Sequence, residues 1–98
     1  MEMNSTMTKK EMEKAIKEIP GELGVYALFD KKAKQFDTPI FCRSDMFAGR
    51  HYVMVTDTPG TIPNKFKGDF DMYKLGTFKT ATGEFDAEIE IIITGRED

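Results

Sequence analysis

The chain has 98 residues, a hydrophobic fraction of 40%, 11% aromatic residues and a formal net charge of −3. That length leaves room for one modest core and no second domain, and the eight Phe supply enough apolar area to exclude disorder throughout. No apolar run approaches a membrane span, no apolar signal region opens the chain, and one Cys with one His can form neither an internal disulfide nor a four-ligand zinc site.

Residues Met1 to Met7 are polar and unpatterned, which predicts a frayed N-terminus. Thr8 followed by Glu11 then forms a capping box, in which the hydroxyl takes an orphan helix N–H and the carboxylate reaches back. Met12, Ala15, Ile16 and Ile19 follow at helical spacing, so Thr8 to Ile19 reads as an amphipathic helix ended by Pro20-Gly21. Such a stripe packs on its own core or docks on a partner.

Val25 to Phe29 is short, aromatic and apolar, which predicts a strand. Asp30 to Lys34 turns the chain, and Phe36 to Arg43 can run back extended, with Pro39 favouring a sheet edge or a bulge. Ser44-Asp45 offers an N-cap, and Met46, Phe47, Arg50, Val53 and Met54 have the spacing of a second helix, which Gly49 weakens by about 1 kcal/mol relative to Ala. Thr58-Pro59-Gly60 and Ile62-Pro63-Asn64 mark a turn-rich connection.

Phe70 to Phe78 reads as a strand interrupted by Gly76, and Phe85 to Thr94 as a regular one, joined to it through Ala81-Thr82-Gly83 as a hairpin. In the last strand Phe85, Ala87, Ile89, Ile91 and Ile93 point one way, and Asp86, Glu88 and Glu90 the other. The expected fold is a single α+β domain over residues 8–98, an antiparallel sheet of about four strands with two helices.

Four stretches in order carry a family resemblance: VYALFDKKAKQFDTPIF, DMFAGRHY, DFDMYKLGTF and TGEF. The matching positions are Val25, Phe29, Asp30, Ala33, Phe36, Pro39 and Phe41; then Asp45, Ala48, Arg50 and Tyr52; then Asp69, Phe70, Tyr73, Leu75, Gly76, Phe78, Thr82 and Gly83. Together they resemble the small nonstructural protein of gokushovirus-type microviruses, icosahedral phages with single-stranded DNA. Met1 to Gly24 lies outside the pattern, and Gly49 interrupts the helix that carries Arg50. The resemblance implies a phage protein acting in genome replication or packaging, in the host cytoplasm.

Charge narrows the choice of binding function. Residues 31–67 carry seven Lys or Arg against three acids, whereas residues 68–98 carry three against eight. An acidic total disfavours tight duplex binding, but a local basic surface can still track phosphates. Single-stranded DNA binding would combine such a track with aromatic platforms. The candidates are Lys31, Lys32, Lys34, Phe36, Phe41, Arg43, Arg50 and Tyr52, with His51 beside them. The simpler expectation makes Phe36 and Phe41 core residues, Arg50 a surface or salt-bridged cation, and His51 a bystander.

The competing expectation is a protein-interaction module that binds a phage or host replication or capsid protein, or itself, through a sheet edge or the N-terminal helix. A homo-oligomer that covers sheet edges is expected in either case. No glycine-rich phosphate loop, paired catalytic acids or nucleophile motif is present, so neither an enzyme nor a cofactor is expected.

Overall fold

The computed structural model describes residues 21–96, so the predicted frayed terminus and the predicted helix over Thr8 to Ile19 lie outside the described residues. Five strands and two helices follow in chain order: β1 (Glu22–Asp30), β2 (Gln35–Phe36), β3 (Ile40–Cys42), α1 (Asp45–Thr56), α2 (Ile62–Lys65), β4 (Phe70–Lys79) and β5 (Phe85–Ile93). A 3-10 turn, Lys67–Asp69, leads into β4. All strand pairings are antiparallel, and the fold is α+β.

The strand order is β2-β1-β4-β5, with β3 pairing β1 on the same side as β2. The central pair, β1 with β4, runs from Glu22 opposite Lys79 to Asp30 opposite Phe70. The predicted extended run from Phe36 to Arg43 is in fact two short strands separated at Asp37-Thr38-Pro39. Both halves flank the outer edge of β1, where a proline without an N–H costs no ladder bond. At the β1–β2 turn the Asp30 carboxylate accepts from the N–H groups of Lys32 and Ala33, and Lys34 takes a positive φ of 59°.

The core lies between α1 and one face of the sheet. Tyr26, Leu28, Phe70 and Met72 of the sheet meet Ala48 and Tyr52 of the helix, with Ile40, Cys42, Val55, Ile92 and Ile93 packed around them. Ser44 caps α1 as predicted, its hydroxyl accepting from the Phe47 N–H at 3.4 Å.

The face that α1 buries differs from the predicted one. Met46, Phe47, Val53 and Met54, the apolar stripe of the sequence, are exposed, and Ala48, Tyr52 and Thr56 are buried. Three anchors explain the orientation. Ala48, at 0% exposure, lets the helix axis approach the sheet closely. The Tyr52 hydroxyl donates to the Phe70 carbonyl at 2.9 Å, and the Tyr26 hydroxyl donates to Asp45 at the start of the helix. A helix aligned to satisfy buried hydroxyls turns its larger apolar residues outward.

β5 departs from expectation in the same direction. Phe85 through Ile91 are exposed along both faces, and only Ile92 and Ile93 reach the core. The strand is the last in the sheet, and α1 covers only its end, where an added Cβ on Gly49 would lie 3.9 Å from Ile93. A register irregularity between Met72 and Tyr73 separates Ile93 from the row of Phe85, Ala87, Ile89 and Ile91 and brings it to the helix side. The predicted turn-rich connection also contains a short helix, α2, whose cap Thr61 accepts from the Asn64 N–H at 3.2 Å.

Candidate nucleic-acid interface

The sheet face opposite α1 is aromatic. Phe29, Phe36 and Tyr73 form one ring cluster, with centroids 4.8 to 5.8 Å apart in tilted and edge-to-face arrangements. Phe41 and Phe78 form a second pair at 5.8 Å. Phe36 is 43% exposed and Phe41 57% exposed, so neither is a core residue. Their place follows from the short outer strands, which carry them to the rim where, among the described residues, no further strand covers them.

Phe41 also borders a groove between β3 and the first turns of α1. Cys42, Arg43, Phe47 and His51 complete its lining, and its volume is about 460 Å³. Arg50 is exposed one position before His51 and three after Phe47, so it stands beside the groove. Among the described residues its side chain makes no ion pair or hydrogen bond.

The remaining candidates divide differently. Lys32 and Lys34 are exposed in the β1–β2 turn, whereas Lys31 is engaged by the buried Asp71 at 3.1 Å. The turn is separated from the groove by the stretch of β1 between Phe29, opposite Phe36, and Val25, opposite Phe41. At the rise of an extended chain that is about 13 Å. Tyr52 offers no ring to a ligand, since it is 8% exposed and holds the Phe70 carbonyl from within the core. The reason is its position on the same helix face as Ala48 and Thr56.

Cys42 and Phe47 are the groove residues that the sequence reading did not single out as contacts, and His51 entered it only beside the candidates, as a bystander. A signal was available: Ala48, Tyr52 and Thr56 recur at intervals of four, which gives a close-packing face that leaves Phe47 and its neighbours outward. Phe78 and Tyr73 were likewise hidden, because strand alternation does not say which face stays open.

Cys42 and His51 share the groove, but no hydrogen bond joins them among the described residues. Burial pushes the Cys42 thiol up, which favours the protonated and unreactive form. Burial likewise raises Tyr52, with the Asp71 charge adding to it. Among the described residues no group of His, Cys, Asp and Glu could hold a metal ion, and no helix is long and apolar enough to cross a membrane.

No curated protein and no solved structure matches the chain. The model of a phage ORF5 protein family does match, over residues 23–97, which takes in β1 from Leu23, the other four strands, both helices and every residue of the groove. The chain therefore belongs to the phage ORF5 protein family and is a small phage protein.

Proposed function

We propose that the protein binds single-stranded DNA in the groove between β3 and α1, and that it serves replication or packaging of a gokushovirus-type genome in the host cytoplasm without catalysing a reaction. The carrying observation is the groove itself, which Phe41 borders from the sheet rim and which the exposed Phe47 lines with Arg43 and His51, flanked by Arg50. Rings and guanidinium groups at one site suit an unpaired base with its phosphate. Each stacked base contributes about 1–3 kcal/mol, and each phosphate contact adds a salt-dependent term. Lys32 and Lys34 extend the basic surface along the same strand edge, and Phe36 offers a second platform beside them.

Fluorescence anisotropy of a labelled oligonucleotide, single-stranded or duplex, tests this reading. The single strand should bind more tightly than the duplex, and affinity should fall as salt rises. Phe41→Ala and Arg43→Glu, both at exposed positions, should each weaken binding by about tenfold, equivalent to about 1.4 kcal/mol. Absence of binding at about 50 µM protein, within the range of ordinary non-specific affinity, would reject it.

The second reading, a protein-interaction module, is favoured by one separate observation: β5 ends the sheet with both of its faces exposed.

A further inference from the structure

β5 presents a free edge. It is the terminal strand, and among the described residues nothing pairs with its outer side, so its outward N–H and C=O groups are open to an added strand. It is also long, nine residues, and exposed from Phe85 through Ile91.

The two faces of that edge differ in chemistry. Phe85, Ile89 and Ile91 form an apolar row on the aromatic side of the sheet; Phe85 is paired in register with Phe78 and its ring lies over Gly76. Asp86, Glu88 and Glu90 form an acidic row on the side that carries α1. Lys79 reaches Asp86 at 3.4 Å, and Lys74, opposite Glu90, directs its ammonium to Asp45 instead. Glu88 and Glu90 make no ion pair among the described residues.

We propose that this edge captures an extended, basic segment of a partner protein as an additional antiparallel or parallel strand, one that alternates Lys or Arg with apolar residues. An added strand lies about 4.8 Å from β5 and sends successive side chains to opposite faces. Its cations then meet Glu88 and Glu90 while its apolar residues extend the row of Phe85, Ile89 and Ile91. Charge selects this occupant over the alternatives. A second copy pairing through its own β5 would set acid against acid across the ladder, and a nucleic-acid backbone would meet the same repulsion. The main-chain bonds supply affinity, and the alternation supplies specificity. This edge is separate from the groove and does not depend on the DNA reading.

The test uses the full chain and three labelled nine-residue peptides: one alternating lysine and valine, one of the same composition with its lysines grouped, and one alternating glutamate and valine. The first should bind and slow amide exchange along β5, and the other two should bind at least about tenfold more weakly. Glu88→Lys combined with Glu90→Lys alters only exposed side chains. It should reverse the preference toward the glutamate peptide. Equal binding of grouped and alternating lysines would overturn the added-strand geometry. Protection of β5 amides that rises with protein concentration in the absence of peptide would assign the edge to a second copy and overturn the proposal as well.

Discussion

The Tyr26 ring lies back over Gly24, where an added Cβ would fall 2.5 Å from the ring, and its hydroxyl donates to Asp45 at 2.5 Å. One side chain thus joins the central strand to the first turn of α1. Burial raises its pKa, and the bond to Asp45 raises it further. The folded state therefore keeps the neutral phenol where the unfolded chain has begun to lose it. The stabilisation is fully present below the unfolded value of about 10 and is lost as pH rises toward the folded one. Tyr26→Phe should cost about 1 kcal/mol at neutral pH. Urea midpoints measured from about pH 8 to about pH 11 should show the gap between wild type and variant narrowing. A gap that stays constant would mean that the hydroxyl is not held neutral by the fold. Lys31 shows the same structural logic in a candidate binding residue: with Asp71 it fastens the start of the β1–β2 turn to β4, and Asp71 also accepts from the Gly95 N–H at 2.9 Å.

At the level of elements, β4 and β5 meet through a glycine. An added Cβ at Gly76 would lie 2.3 Å from the Asp86 carbonyl oxygen and 2.7 Å from the Phe85 ring. The ring can move but the backbone carbonyl cannot, so Gly76→Ala must separate the strands or expel Phe85. A loss of about 2–3 kcal/mol is expected, with the urea midpoint lowered and the denaturant slope unchanged. A neutral substitution would show that the hairpin yields at little cost. Gly76 was visible in the sequence as an interruption of a strand, but its purpose was not, because the carbonyl it accommodates belongs to the next strand. For α1 the cap and approximate extent were legible, while its orientation was not. Apolar spacing favoured Met46, Phe47, Val53 and Met54; Ala48 and the Tyr52 hydroxyl bond decided otherwise.

Across the described residues, burial is concentrated where β1, β4 and α1 overlap and thins toward both sheet edges. Tyr26, Ala27, Leu28 and Met72 are buried, whereas β2 and β5 up to Ile91 are exposed. Local opening should follow that gradient. Native-state hydrogen exchange should find the amides of Tyr26 to Leu28 and Met72 slowest, and those of β2 and the outer part of β5 faster. Protection of β5 equal to that of β1 would show that the edge does not open independently of the core. Charge is distributed along the same axis: Lys32, Lys34 and Arg43 stand on the β2 and β3 side, and Asp86, Glu88 and Glu90 on the β5 side. The two edges therefore suit ligands of opposite sign.

Alternation and punctuation in the sequence determined the element types, the antiparallel class and the Ser44 cap, because strand period, helix period and capping are local properties of neighbouring residues. The phage resemblance was also legible, carried by short patterns from Val25 to Phe85. Tertiary structure decided which faces stay open: that Phe41 and Phe47 line one groove with Arg43, that Tyr52 turns inward, and that the apolar row of β5 meets solvent. Those outcomes depend on strand order and on the close seating of α1 against β1 and β4. Both arise from contacts between residues distant in sequence, which apolar spacing alone does not encode.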